Sequence, residues 1–299
     1  MDQEKLLKNS REYFRNSSSL TVKIGCELEF FLLGASTSEV ENFIAELQQK
    51  NWQVEKERGA TQIEIKTDFT ADLAALCVEL EEKKSFVKNL AAEKNLIASF
   101  AAQPFLDDCG SALQFNISLH DANDKNIFAT NEKTLQNSIN SLLGYTNQML
   151  IFFAPKKEDY LRFGCELNRK IFQKGKFPAP VNLSFGNDNR TCAIRIKKTE
   201  NGKRLEYRVA AADADPWLCI SALLLALSKK STEEFAPTFG NAFEEKFSLK
   251  NLCQNSEEAE AEFRRDGNFI RDFLCPRLRG DEAAPSHPDP DIPVQAGIE

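Results

Sequence analysis

The sequence predicts an α+β fold: a curved antiparallel β-sheet with helices packed on one of its faces. Three observations lead there. Segments of four to twelve residues alternate apolar and polar side chains at a period of two, as half-buried strands do. Longer segments repeat their apolar residues at helical spacing. The two kinds do not alternate steadily, as a parallel sheet with crossover helices would require. The 299 residues are 42% hydrophobic and 28% charged, enough for a substantial core in one large domain or two small ones.

Composition removes several function classes. A net charge of -7 disfavours a binder of nucleic-acid backbones, which needs a basic surface. No apolar run approaches the ~20 residues of a membrane span. The first residues, Met1 to Lys5, mix both charges and lack a signal-peptide core. The eight cysteines include no C-x-x-C pair, which argues against a zinc site. Most sit among apolar neighbours, so reduced thiols in the cytoplasm are the simplest expectation.

Along the chain, residues 2–16 read as a helix with Leu6, Leu7 and Phe14 inward. Residues 22–33 read as a strand with Glu27 and Glu29 on one face. Ser38 and Glu41 have capping-box spacing for a helix reaching Lys50. Short strands are expected at 53–57 and 62–66, with Gln62, Glu64 and Lys66 sharing a face. Thr70 is the expected cap of a helix to Asn95, followed by a strand over 96–102. In residues 113–120, Leu113, Phe115, Ile117 and Leu119 form a core face; Gln114, Asn116, Ser118 and His120 form a wholly polar one. A helix spans 131–153 and stops before Pro155. Residues 157–178 are basic and read as an irregular loop, then strands at 181–185 and 192–197. The strand Arg204–Val209 leads into a nearly all-apolar helix over 217–227, with Asp215 as N-cap and Pro216 first in the helix. A last helix runs from Ser256 to Phe273. Residues 1–275 then form the domain, and 276–299 a disordered Pro-rich tail.

The polar strand faces carry the chemistry. Arg204, Glu206 and Arg208 point one way, and two guanidiniums flanking a carboxylate can hold an anion and a cation. The plain alternative is a charged outer face whose side chains pair with one another. Adjacent Glu27 and Glu29 repel unless a cation or a proton intervenes. With Glu64, Gln114, Asn116, Ser118 and Arg195, the face offers many oxygens and several guanidiniums, which suits divalent cations and phosphate together.

Five segments, in order over about residues 20–230, resemble the catalytic domain of glutamine synthetase. Gly25-Cys26-Glu27-Leu28-Glu29-Phe30-Phe31-Leu32 is similar to its G-x-E-x-E-F-F-L strand. Glu57 to Glu64 resembles E-x-x-x-G-Q-x-E, with Thr61 in place of the inner glycine. Gly110 to Leu119 resembles G-S-G-M-H-x-H-x-S-L. Ala179-Pro180-Val181 and Asn189 to Ile196 resemble A-P-V and N-R-S-A-x-x-R-I-P. Arg204 to Leu218 resembles R-I-E-x-R followed by A-N-P-Y-L. The resemblance implies an ATP-dependent ligase: glutamate's γ-carboxylate takes the terminal phosphate of ATP, and ammonia or an amine displaces it. By the same matches, Glu29, Glu57 and Glu64 hold a Mg²⁺ or Mn²⁺ near the substrate, while Glu27, Glu206 and Gln114 hold one at the ATP phosphates. Arg190, Arg195 and Arg204 stabilise phosphates and the transferring group, Arg208 the substrate carboxylate, and Asn116 and Ser118 lie toward the nucleotide.

The sequence also departs from that pattern. Gln114 and Asn116 stand where the family has histidines, and an uncharged amide holds Mg²⁺ less tightly. Cys109 replaces an asparagine beside the glutamate site, Pro178 replaces a flap glutamate unless Glu166 takes its place, and Arg162 matches the flap arginine. About 20 residues precede the first catalytic strand, so the family's N-terminal β-grasp domain is expected to be missing; an oligomer is allowed but the family's ring is not implied. Three readings stay open: an active ligase, a nucleotide-binding pseudoenzyme with a regulatory or partner-binding role, and a scaffold that has kept only the sheet.

Overall fold

The computed structural model describes residues 2–200, 202–247 and 249–275. It contains helices α1 (Gln3–Ser18), α2 (Thr37–Gln48), α3 (Leu73–Glu93), α4 (Glu132–Phe153), α5 (Cys165–Gln173), α6 (Pro216–Ser228), α7 (Ser256–Arg264) and α8 (Phe269–Leu274). The strands are β1 (Thr21–Leu33), β2 (Gln53–Lys56), β3 (Gln62–Lys66), β4 (Ile97–Ser99), β5 (Leu113–His120), β6 (Phe185–Asn187), β7 (Ile194–Thr199) and β8 (Gly202–Tyr207). They form one sheet in the order β2-β3-β1-β5-β8-β7-β6, with β4 pairing the end of β1. Pairing is antiparallel except between β6 and β7, so the expected α+β architecture is found.

Alternation divides the sheet into two chemistries. Ile24, Cys26, Leu28, Phe30 and Leu32 of β1 join Ile63, Ile65, Leu113, Phe115, Ile117, Leu205 and Tyr207 in the core beneath the helices. Helix α6 is apolar on all sides because α1, α3, α4 and α8 surround it. Asp215 caps it by accepting from the N–H groups of Trp217 and Leu218, as the sequence predicts. The residues between the inward ones face the other way, and they make the polar face.

Several boundaries differ from expectation. The capping box of α2 uses Ser36 and Glu39 instead of Ser38 and Glu41; Ser36 N–H donates to Glu39 at 2.7 Å. Asp72, not Thr70, caps α3, because Thr70 is held in a two-way backbone bridge to Ile24 at 3.0 Å. Residues 157–173 are not an irregular loop: a 3₁₀ turn (Lys157–Phe163) leads into α5, with Tyr160, Phe163 and Ile171 buried and the basic groups of Lys170 and Lys174 outside. Strand pairing replaces the expected 181–185 strand by β6, which starts four residues later, and shortens the 96–102 strand to β4. The last helix breaks in two at Gly267, whose φ of 79° lies in the left-handed region, and Asn268 then caps α8. The expected tail, 276–299, lies outside the described residues.

Candidate active site

Register sets the rows of the polar face. Glu29 of β1 lies opposite Glu64 of β3, and Glu64 lies opposite Glu55 of β2. Oxygens of Glu55, Glu57 and Glu64 come within 4.8 Å of one another. Glu29 and Glu64 are 7% and 3% exposed, so their charges are poorly solvated. Burial, then the neighbouring Glu57, pushes the Glu29 carboxyl up to about 7. Burial, then Glu27 and Glu29, pushes Glu64 up to about 9, although Lys66 Nζ lies 3.1 Å away. Glu29 accepts from Gln114 Nε2 at 2.6 Å, Ala112 N–H at 2.9 Å and Gln62 Nε2 at 3.3 Å, which fixes its orientation.

Across the sheet the balance reverses. Glu206 is fully buried, opposite Asn116 on one side and Arg195 on the other. It accepts from Arg208 Nη1 at 2.7 Å and Arg195 Nη1 at 3.0 Å, and Lys197 Nζ lies at 3.5 Å. Burial raises this carboxyl, but Arg208, Arg195 and Lys197 outweigh it and hold the group below the usual carboxylate value. Arg195 also donates to Asp188, with Nε at 2.8 Å from Oδ1.

Two amides join the halves in matching rungs. Gln114 donates to Glu29 and accepts from Arg208 Nη1 at 3.1 Å. Asn116 donates to Glu27 at 3.2 Å and accepts from Arg204 Nε at 2.8 Å. Each rung links a carboxylate of β1 to an arginine at β8 through a side chain of β5. Both Gln114 polar atoms are therefore engaged, its carbonyl by a guanidinium. Arg204 also lies over the Phe69 ring at 5.4 Å, and that ring rests on Gly25, where any Cβ would come within 3.0 Å of it.

Over the Glu29 rung runs the segment 174–178. Lys176 pairs with Asp108, and the Asp108 carboxylate also accepts from the Ala60 and Cys109 N–H groups at 2.9 and 2.7 Å. The guanidiniums of Arg190 and Arg58 lie against the Phe177 ring at 4.1 and 5.0 Å. A small cavity, lined by residues including Glu29, Glu57, Gln114, Cys109, Arg162 and Arg208, measures about 20 Å³. Beyond Phe177 and Pro178 an open cavity of about 650 Å³ adjoins it, bordered by Phe172, Phe239, Asp188 and Arg190.

The predicted residues therefore fall into three places. Glu29, Glu57, Gln114, Arg190 and Arg208 line the small cavity. Glu27, Glu64, Asn116, Arg195, Arg204 and Glu206 continue the face around it through the registers and bonds above. Ser118 lies farther along β5, bonded to His120 at 3.1 Å. Glu166 is outside the site, on the exposed side of α5 with Lys170 at 3.3 Å, so it does not stand in for Pro178. Arg162 is buried, donates to the carbonyls of Val209 and Arg208 at 2.7 and 2.9 Å, and is pulled down to about 10 by burial despite Glu29. Glu55 was missed, although its period-two spacing from Glu57 could have found it. Phe177 and Asp188 carry no local signal, and Lys176 reads only as one of the basic residues of 157–178, because its partner Asp108 is distant in the chain.

The donor set fits a divalent cation at one place. Glu57 and Glu64, with Glu55, supply hard oxygens within 4.8 Å of one another, and Glu29 lies opposite Glu64 in the register; the raised carboxyls of Glu29 and Glu64 are the response of crowded anions that a cation would relieve. At Glu206 the fit fails, since protein cations already occupy both oxygens.

A family model described as glutamine synthetase, catalytic domain, matches residues 37–280. Among curated proteins, glutamine synthetase of Sulfolobus acidocaldarius is 29% identical over 233 residues, covering 71% of this chain and 46% of that protein. Glutamine synthetase of Streptomyces coelicolor is 32% identical, covering 60% and 39%. Gamma-glutamylputrescine synthetase PuuA of Escherichia coli (strain K12) is 27% identical, covering 57% and 35%. The chain thus spans less than half the length of these relatives. A solved structure titled as a GmaS/ADP complex superposes with a TM-score of 0.73 over 91% of this chain and 70% of that one, at 19% identity, which shows the shared fold. No helix of the described residues is long and apolar enough to cross a membrane. The family match, the order of the strand motifs and the sheet that assembles them agree: the chain belongs to the glutamine synthetase family, through its catalytic domain.

Proposed function

We propose that this domain serves an ATP-dependent ligase that joins the γ-carboxylate of glutamate to an amine. The observation that carries the reading is the meeting, on one buried sheet face, of uncompensated carboxylates with several guanidiniums. In the reaction a γ-carboxylate oxygen attacks the terminal phosphorus of ATP, and ADP leaves. The amine nitrogen then attacks the acyl carbon, phosphate leaves, and the nitrogen loses a proton. Such chemistry needs positioned charge more than covalent help from the protein. Arg190, Arg195 and Arg204 neutralise phosphate oxygens; Arg208, fixed by Glu206, Gln114 and the Pro178 carbonyl, receives a substrate carboxylate. Mg²⁺ or Mn²⁺ at Glu29, Glu57 and Glu64 would supply charge neutralisation beside the reacting groups.

The cavity of about 650 Å³ beside Phe177 and Pro178 supports an amine with an organic body, since a pocket of that size suits a small organic molecule. Relatives carry such names, including gamma-glutamylethanolamide synthetase GlnA4 and glutamate--isopropylamine ligase. One observation favours a second reading, a nucleotide-binding protein without turnover: the small cavity beside Glu29, about 20 Å³, has room for about one water. Phosphate release from Mg-ATP and glutamate, with ammonia, hydroxylamine and a panel of alkyl and aryl amines, separates the two. Amine-dependent release that disappears in Glu27→Ala supports the ligase. Mg-ATP binding without release under every amine rejects it in favour of the second reading.

A further inference from the structure

We propose that Glu206 is a positioning residue, holding Arg195 and Arg208 as a built-in cationic cradle, and that the chain binds a single divalent cation, at Glu29, Glu57 and Glu64, with none at Glu206. This rests on the reading of the face as a metal and anion site, and it goes beyond the two cation positions that the motif matches imply.

Geometry is the first argument. A carboxylate that ligates a metal needs free lone pairs. One Glu206 oxygen takes Arg208 Nη1 at 2.7 Å; the other takes Arg195 Nη1 at 3.0 Å with Lys197 Nζ at 3.5 Å. The guanidiniums are themselves anchored, Arg195 by Asp188 and Arg208 by the Gln114 carbonyl and the Pro178 carbonyl at 3.3 Å. The Gln114 oxygen, a second ligand expected there, is thereby spent, which leaves Glu27, itself accepting from Asn116 at 3.2 Å, as the one expected ligand without a cationic partner on it among the described residues. Charge is the second argument. Three protein cations already meet two carboxylates, Glu206 and Asp188. A divalent ion placed among them would share two carboxylates already paired to protein cations and meet three repulsions at close range, in a site where water screens little. The opposite holds at Glu64, where carboxylates outnumber cations. Consequently the phosphate-facing charge that a second ion would bring is supplied here by side chains, whose positions Glu206 sets.

Titration of the nucleotide-free chain with Mn²⁺, followed by electron paramagnetic resonance and calorimetry, tests this without any turnover. The expected result is one Mn²⁺ per chain, kept in Glu206→Gln and lost in Glu64→Gln. Two ions per chain, one of them lost in Glu206→Gln, overturns the proposal. Because Glu206→Gln leaves two buried guanidiniums short of an anion, the R195Q/K197Q double variant provides a second test that keeps Glu206. Lifting two of the three competing cations should open a second, weaker Mn²⁺ site. A double variant that still binds one ion would remove the charge-balance argument and overturn the proposal. No Mn²⁺ binding in any variant would instead reject the metal reading of the whole face, and the single-ion claim with it.

Discussion

The two halves of the polar face use the same residue types and reach opposite electrostatic states. On β1, β2 and β3, Glu27, Glu29, Glu55 and Glu64 gather with Glu57 around Lys66, and two carboxyls are driven up to about 7 and about 9. On β7 and β8, Glu206 sits among Arg195, Lys197 and Arg208 and is held down. Burial alone does not decide between them, since Glu64 and Glu206 are both buried. Neighbours decide. One half is an anion cluster that requires something from outside; the other is complete within the chain. What the contrast teaches is that a strand face can be polar for two reasons, and that only the incomplete half asks for a cation.

The sharpest way to break the comparison is to remove the central acid of each half. Glu206→Ala strands two buried guanidiniums, and breaking a buried pair in this way costs about 3–5 kcal/mol. Glu64→Gln should do the reverse and stabilise the metal-free protein near neutral pH, because it replaces a carboxyl that must take up a proton on folding with a group that is neutral in both states. Urea unfolding of both variants beside the wild type measures the two signs. Equal losses would show that the halves are not different in kind.

Next comes pH. Glu29 and Glu64 keep a proton in the fold that the unfolded chain has already released, so the folded state binds more protons between the ordinary value of 4.5 and about 9. Stability of the metal-free protein should therefore fall as pH rises, by up to about 1.4 kcal/mol per unit for each carboxyl, with Glu29 contributing from 4.5 to about 7 and Glu64 from 4.5 to about 9. Glu206, held low, contributes in the other direction only at acidic pH, where its protonation on the way down would weaken the cradle. Thermal unfolding from pH 5 upward, in wild type and Glu64→Gln, checks the slope; a flat wild-type profile would mean that the acids are not crowded. A saturating divalent ion should flatten the decline, and at a hundredfold excess over its dissociation constant it adds about 2.7 kcal/mol.

Much of this face is legible in the sequence, because alternation at a period of two is local information. The pairs Glu27/Glu29, Gln114/Asn116 and Arg204/Glu206/Arg208 need only their own strands to be placed on one side. What the sequence does not show is register. Nothing near Glu29 says that Glu64 lies opposite it, or that Asp188 will hold Arg195 from seven residues away around a turn. Capping errors have the same origin: Ser36 and Ser38 both precede an acid by three residues, and only the inward packing of Val40, Phe43 and Leu47 selects the first. Residues 157–173 fold as helical turns because Tyr160, Phe163 and Ile171 find the core, a tertiary outcome that their charged neighbours conceal.

The smallest effect concerns the strap that covers only one half. Lys176 and Asp108, joined as a largely buried pair, hold Phe177 over the Glu29 cavity, whereas Phe69, under Arg204, is 42% exposed among the described residues. Lys176→Ala should loosen the strap by about 1 kcal/mol, which is roughly a fivefold gain in the open population. Cys109 reports that opening, since it is 3% exposed, lines the cavity and has its thiol pushed up to about 12 by burial. Labelling with an uncharged thiol reagent, read by peptide mass, should speed up at Cys109 by about that factor and stay unchanged at the half-exposed Cys165 and Cys275. An unchanged rate at Cys109 would place the barrier to the cavity elsewhere, in the packing of Phe177 between Arg58 and Arg190, and Phe177→Ala would then be the substitution that opens it.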